Sequence, residues 1–406
     1  MVLGQVPDIM EMHYLGKSDE RTEYDPTKKS WKNPYNDVLI RPEDEYWMPY
    51  QQMAQNGYLE DLWPYIENDP DIGRDGVLQA PMKAAEVNGS LYILFMDFRI
   101  NTLMGRERVV GNRYSWTLED LLESFSTMPE ESTILRYNTT KKEIFDNLLC
   151  FSLERFVDRE SCTCSFDSEE FREILAFLSC FPDEADIAQP QQTEEEIIRR
   201  IKSGKQMLEV FQISMLEKTI YGDALWGERA AFVGYPTADG SPGNFFYPMG
   251  DILAMSSTCE NKDAAWDFIR KLVKPYRKRN SPNSTIIPFV SIPVNRHDYE
   301  LEIWGEFVYS VDFYRRASPD DPTSVMLPWK PFTYGPPIYP MELLTEEDCQ
   351  RYDTLINSTT QLYWPNDELA DIVWDTIGPY LAGDRTLDDT IALVQNRATL
   401  YVNENQ

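Results

Sequence analysis

The sequence predicts an α/β protein in two parts, and three observations carry that expectation. At 406 residues the chain exceeds what a single hydrophobic core usually supports, so two domains or lobes are expected. Short apolar runs bounded by Gly, Pro and Ser read as strands. Between them lie longer segments with helical periodicity and N-terminal capping signals, and strands interleaved with helices indicate an α/β architecture.

Taken in order, SLYILFM (90–96), AAFVGYP (230–236) and DILAMSS (251–257) are the strand candidates. Among the helices, WTLEDLLESF sets Thr117 as N-cap with Asp120 three residues on, and Trp116 with Leu121 forms a hydrophobic staple. FDSEEFREILAFL repeats the device with Asp167, Glu170 and the pair Phe166 and Phe171. Thr193 with Glu196 and Thr386 with Asp389 are two further capping boxes. ENKDAAWDFIRKLVK places Ala265, Phe268, Ile269, Leu272 and Val273 on one core-facing stripe, and LADIVWDTIGPYL does the same with Leu369, Ile372, Val373 and Ile377. Residues 16–47, 275–290 and 317–340 are polar or Pro-rich without period and read as surface loops.

Composition narrows the function classes. Hydrophobic residues make up 42% and charged residues 26%, ordinary for a globular protein, whereas aromatics reach 13%. The 10 Trp and 23 Tyr suit a large core and also flat stacking surfaces. Thirty-eight basic residues against 68 acidic ones leave a net charge of −30, a field that repels phosphate backbones and anionic headgroups and argues against nucleic-acid binding. The basic run 271–279 sits at a predicted helix end, where cations suit the dipole. No apolar run reaches the roughly 18 residues a membrane span needs.

Chemical motifs are sparse. The spacing of CTC at 162–164 does not match a C-x-x-C motif, and with His13 and His297 as the only histidines no familiar zinc constellation can be assembled. Cys150, Cys162, Cys164 and Cys180 allow either a disulfide or free buried thiols. VGYPTADGSPG is glycine-rich but lacks the Lys and following helix of a phosphate cradle. No nucleophile–base signature is present, which favours binding over catalysis; the abundance of carboxylates guarantees pairs by chance and singles out none. No metal and no cofactor are expected.

Several segments in order then resemble the extracellular solute-binding proteins of family 1, the carbohydrate receptors of ATP-binding-cassette importers. They are GQVPDIMEM, NGYLEDLWPYIENDP, NGSLYILFMDFRINTLMGR, SWTLEDLLE, SGKQMLEVF, FVGYPTADG, DILAMSSTCENKDAAWDFIRKLV, SIPVNR and YLAGDRTLDDTIALVQNRATLYVNEN. The resemblance implies a periplasmic-binding-protein-like type II fold: two α/β lobes joined by hinge-crossing strands, with ligand at their interface and closure about the hinge on binding. It implies lobe 1 from 1–98 and 253–296 and lobe 2 from 103–248 and 345–406, with crossings near 97–103 and 249–253 and residues 297–344 unplaced. The implied partners are a carbohydrate ligand and a membrane permease, and the chain is expected to be a monomer. The family carries a lipid-anchored signal segment and a strand–helix–strand unit ahead of the PDI strand. This chain opens almost at that strand, so the first lobe is expected to be N-terminally truncated. Anchoring on the extracellular face of the membrane follows from the resemblance, whereas the start MVLGQVPDIM taken literally means a cytoplasmic protein.

Sugars present apolar C–H faces and a rim of hydroxyls, so their sites need aromatic platforms and fixed donors and acceptors. By resemblance, the candidates are as follows. Asp97 and Arg99 lie at the first crossing, as ligand contacts or as a hinge salt bridge. Tyr14 follows the PDI strand beside Glu11 and His13. Phe211 and Gln212 form an aromatic platform and its neighbour. Trp226 is either a platform or a core residue. Tyr247 and Asp251 bracket the second crossing, where Asp251 could equally cap a strand. Trp364 and Asn366 open a helix. Two other classes stay open: a carbohydrate-active enzyme on a similar cleft, and a remnant or interaction module of the same fold that binds no sugar.

Overall fold

A computed structural model describes residues 7–15, 24–25, 30–31, 45–136, 139–146, 153, 156–158, 161–183, 194–237, 240–275, 291–300, 345–364 and 367–404. Seven strands form its main sheet among these residues: β1 (Ile9–Glu11), β2 (Leu94–Arg106), β3 (Leu208–Ile213), β4 (Ala230–Phe232), β5 (Phe245–Met255), β6 (Ile292–Pro293) and β7 (Gln361–Leu362). The strand order is β1–β5–β2–β3, with β4 and β6 also pairing β2 and β7 pairing β5. The helices that matter below are α1 (Trp63–Asn68), α2 (Leu118–Ser126), α3 (Glu169–Leu178), α4 (Glu217–Trp226), α5 (Lys262–Ile269), α6 (Glu346–Ser358), α7 (Asp367–Leu381) and α8 (Leu387–Glu404).

The chain divides into two compact units. Unit 1 comprises 1–74, 85–96 and 249–274, and unit 2 comprises 75–84, 97–248 and 275–406. The sequence reading grouped 1–98 with 253–296. Residues 75–84 and 291–296 instead pack in unit 2, where Leu78 N–H donates to the Val294 carbonyl at 2.9 Å and β6 pairs β2 at Ile292↔Phe98. The chain changes unit within the long strands β2, at 96/97, and β5, at 248/249, as well as at 74/75, 84/85 and 274/275.

Within unit 1, β1 pairs antiparallel with the end of β5, Met10 opposite Ala254. Leu62, Ile66, Ile93 and Leu94 are fully buried, and the apolar transfer of such side chains is worth roughly 1.5–3 kcal/mol each. The α5 stripe differs from the periodicity. Ala265, Ile269 and Val273 are buried, but Phe268 is 52% exposed, and Trp266 takes the inner position. A hydrogen bond decides it. Trp266 Nε1 donates to Asp69 Oδ2 at 3.0 Å, while Arg270 reaches Asp69 Oδ1 at 2.8 Å, so the ring can enter the core with its polar edge satisfied.

Unit 2 holds the large core, built on Leu103, Trp116, Leu121, Phe166, Phe171, Leu175, Val373, Ile377 and Val394 from β2, α2, α3, α7 and α8. The predicted Thr117–Asp120 box forms, and Thr386 caps α8, accepting from Asp389 N–H at 3.2 Å. The cap of α3 is Ser168 rather than Asp167: its hydroxyl accepts from Phe171 N–H at 3.4 Å. Thr193 lies outside the described residues. Two capping boxes that the sequence reading passed over, Thr140–Glu143 and Thr345–Asp348, are present. The two ends of the glycine-rich segment meet closely, Tyr235 N–H donating to the Gly243 carbonyl at 3.0 Å. A Cβ at Gly243 would lie 1.8 Å from the Tyr235 carbonyl oxygen, and Gly234 sits at φ +73° with its carbonyl accepting from Trp116 Nε1 at 2.9 Å. Cys180 and Cys259 are free thiols, and Cys150 lies outside the described residues. Among the described residues no helix is long and apolar enough to cross a membrane.

Candidate functional site

Unit 2 begins, along β2, at Asp97, and the polar residues of the site follow from the register there. In the antiparallel β2–β3 ladder Asn101 stands opposite Gln212, and Thr102 opposite Phe211. Alternation along a strand puts Asp97, Arg99, Asn101 and Gln212 on one face. Phe98, Ile100, Thr102 and Phe211 go to the other. Cross-strand neighbours on the first face then bond in series. Arg99 Nη1 donates to Gln212 Oε1 at 2.7 Å, and Gln212 Nε2 donates to Asn101 Oδ1 at 2.8 Å.

Asp97 is 9% exposed. Ser291 Oγ donates to its Oδ2 at 2.7 Å, while Oδ1 is buried and makes no hydrogen bond. Burial pushes the Asp97 carboxyl above the ordinary carboxylate value, against the pull of the Ser291 bond and the Arg99 charge. Burial likewise lowers Arg99, and the charges of Asp97 and Tyr247 work the other way. Arg99 thus donates to the Gln212 amide, while Asp97 accepts from the Ser291 hydroxyl.

Aromatic faces come from β5 and the chain after β7. Phe246 packs edge-on against Phe98 at 5.0 Å, so the next residue, Tyr247, turns to the Arg99 face. There it stacks on Tyr363 with ring centroids 5.0 Å apart and planes 25° from parallel. Tyr363 N–H donates to the Phe246 carbonyl at 2.7 Å, which fixes that residue beside β5.

The remaining sequence candidates fall elsewhere. The Phe211 side chain points away from that of Gln212: its ring stacks on Tyr221 of α4 at 5.9 Å and 7°, on the opposite face of the sheet. Trp226 is a correction. It is 2% exposed, with the Arg106 guanidinium over its ring at 5.7 Å, and a ring so enclosed presents no face to a ligand. Tyr14 pairs through its backbone with Tyr46 in a two-stranded sheet of unit 1, where the rings of His13 and Trp47 lie 4.2 Å apart. Asp251 is exposed in the unit 1 part of β5, and Glu11 pairs with Leu253. Trp364 is half-buried directly after Tyr363, and Asn366 lies outside the described residues. Of the ten candidates, Asp97, Arg99, Gln212 and Tyr247 share one face; Asn101, Ser291 and Tyr363 join them unanticipated. Period-two spacing from Arg99 would have found Asn101, whereas nothing local marks Ser291. Among the described residues no group of three His, Cys, Asp or Glu is placed to hold a metal ion.

No family model and no curated protein sequence matches the chain. Solved structures do. The chain is similar to an extracellular solute-binding protein family 1 member from Alicyclobacillus acidocaldarius, at 12% identity and TM-score 0.44 over 87% of this chain and 82% of that one. It is similar to the sugar-binding protein MalE of Xanthomonas citri at 11% identity and TM-score 0.48, with 87% and 82% covered. Maltose-bound MalE3 of T. maritima is similar at 15% identity and TM-score 0.41, with 86% and 82% covered.

Proposed function

We propose that this protein is a receptor for a mono- or oligosaccharide that hands its ligand to an ATP-binding-cassette permease on the extracellular side of a membrane, and performs no chemistry on it. The observation that carries the reading is the sheet face of unit 2: a bonded series Arg99–Gln212–Asn101 beside a buried, half-satisfied Asp97, with the Tyr247–Tyr363 stack alongside. Sugar hydroxyls donate and accept at once. A guanidinium and amide N–H groups serve as donors, amide and carboxylate oxygens as acceptors, and tyrosine faces meet the C–H surface. Holding the donors in a bonded series fixes their geometry before ligand arrives, which lowers the ordering cost of binding. The order of motifs along the chain supports the receptor class and the permease partner.

In this reading Arg99 makes a charge-assisted bond to a hydroxyl, worth about 2 kcal/mol, so Arg99→Ala should weaken sugar binding roughly thirtyfold. Titration calorimetry of the full chain against a panel of mono- and oligosaccharides, with product analysis of the same mixtures, is the test. Saturable binding without turnover that weakens in Arg99→Ala supports a receptor. Released product would make the protein an enzyme, and unchanged affinity in the variant would remove the sheet face as the site.

A further inference from the structure

A second polar surface of unit 2 lies away from the Arg99 face, around a cavity of about 660 Å³. One wall is a single stripe of α6. Glu347, Gln350, Arg351 and Thr354 follow the i, i+3, i+4, i+7 spacing that places side chains on one face of a helix, and all four line the cavity. Opposite them stand Glu107, Tyr114 and Arg229. A polar stripe at this spacing is ordinarily a solvated face; here it borders a cavity of a size typical of small-ligand sites.

The two guanidinium groups are fixed before any ligand arrives. Arg351 lies over the Phe232 ring at 4.4 Å, with Nη1 bonded to Asp223 at 3.0 and 3.1 Å and Nη2 bonded to the Ala230 carbonyl. Arg229 bonds Asp223 at 3.1 Å, Asp348 at 3.0 Å and Glu347 at 3.0 Å. Asp223 itself accepts from Ala230 N–H at 2.8 Å. Three carboxylates thus offset two guanidinium charges, so no uncompensated positive charge is left for an anion. A cation would have to compete with Arg229 and Arg351 for Asp223, Glu347 and Asp348, which leaves Glu107 as the single carboxylate of the lining outside those pairs. What the walls leave open is hydrogen-bonding capacity not taken up by ion pairs. Among the described residues the Glu107 carboxylate, the Tyr114 hydroxyl and the Gln350 amide make no side-chain hydrogen bond, and burial of Tyr114 strengthens its hold on its proton.

We infer that this cavity is a second binding site, for a small neutral polyhydroxylated molecule, separate from the Arg99 face. Such a ligand donates hydroxyls to Glu107 and Glu347 and accepts from Tyr114 and Gln350. It does so without displacing an existing ion pair.

Calorimetry on the full chain carrying Arg99→Ala, which weakens binding at the sheet face roughly thirtyfold, tests this with D-mannitol, maltose, inorganic phosphate and putrescine as probes. The expected result is binding of mannitol or maltose but not of phosphate or putrescine. Adding Thr354→Trp, which pushes a bulky ring into the cavity, should weaken it tenfold or more, and Glu107→Gln should weaken it severalfold. Circular dichroism confirms that each variant is folded, and Gln350→Ala substitutes for Thr354→Trp should the latter not fold. The site is overturned by binding of phosphate or putrescine instead, by no binding of either polyol, or by polyol binding indifferent to Thr354→Trp and Gln350→Ala. Sugar affinity that responds to Arg99→Ala in the otherwise native chain but never to the cavity variants leaves the receptor reading standing and removes this one; the converse pattern does the reverse.

Discussion

Arg99 and Arg351 are both substantially buried arginines of unit 2, and they differ in what holds them. Arg99 is bonded to the neutral amide of Gln212, whereas Arg351 is clamped by the Asp223 carboxylate and shares that carboxylate with Arg229. The partner decides what a guanidinium can still do. A neutral amide orients a guanidinium without neutralising it, whereas a carboxylate engages its charge. Burial lowers both arginines below the ordinary guanidinium value, and in each case nearby anionic groups oppose the shift, Asp97 and Tyr247 for Arg99 and chiefly Asp223 for Arg351. The Arg99 face is therefore arranged for recognition by charge-assisted bonds, and the Arg351 cluster for stability and neutral contacts.

The largest effect expected from this difference is on stability. Asp223→Ala removes the carboxylate of Arg351 and the acceptor of the Ala230 N–H at once, while Arg229 keeps Asp348 and Glu347, and Arg351 has too little solvent contact to recover by hydration. Breaking one partner of a largely buried pair costs about 3 kcal/mol. Urea unfolding monitored by circular dichroism should show that loss. Arg99→Ala should cost only about 1 kcal/mol in the same measurement, because Gln212 keeps its bond to Asn101 and the pairing lost is of a charged group to a neutral one. Equal losses in the two variants would break the comparison, since Arg99 would then be structural.

How much of this was legible in the sequence depends on the range of the interaction. The Thr117 and Thr386 caps were readable because a cap is settled within four residues. The α3 cap was misplaced by one position because Asp167 and Ser168 are both good caps, and the choice lies in which side chain reaches the Phe171 N–H. Phe268 and Trp266 exchanged roles because the deciding contact, Asp69, is far away in the chain. The same holds at the site. Asp97 and Arg99 were identifiable as polar residues in an apolar strand, but the separation of Gln212 from Phe211 needs only the alternation rule, applied to a strand whose pairing partner was unknown. Tyr363 and Ser291 approach through β7 and β6, short segments with no pattern of their own. The Arg351 cavity was invisible for a further reason: its α6 wall has the periodicity of any solvated helix face, and what lies opposite comes from residues 107–114 and 229.

The smallest effect sharpens the same comparison from the anionic side. Asp97 has one satisfied oxygen and one buried oxygen without a hydrogen bond, and burial raises its carboxyl above the ordinary value. A carboxyl raised in the folded state binds its proton more tightly there than in the unfolded chain. Its contribution to stability is therefore fully present below the unfolded-state value and is lost as pH rises through the folded one. Asp97→Asn removes that titration while its amide oxygen can still accept from Ser291. The variant should match the native protein in acid, below the usual carboxylate range. Above that range it should be the more stable by about 1 kcal/mol, because it no longer buries a charged acceptor lacking a partner. Thermal melts of both proteins from about pH 2.5 to 8 decide it, at sugar-free conditions so that ligand does not contribute. A variant less stable than the native protein at neutral pH would mean that Arg99 holds Asp97 ionised and that the pair acts as a hinge salt bridge. In that case Arg99, like Arg351, would already have its charge engaged, and the distinction between the two arginines would close.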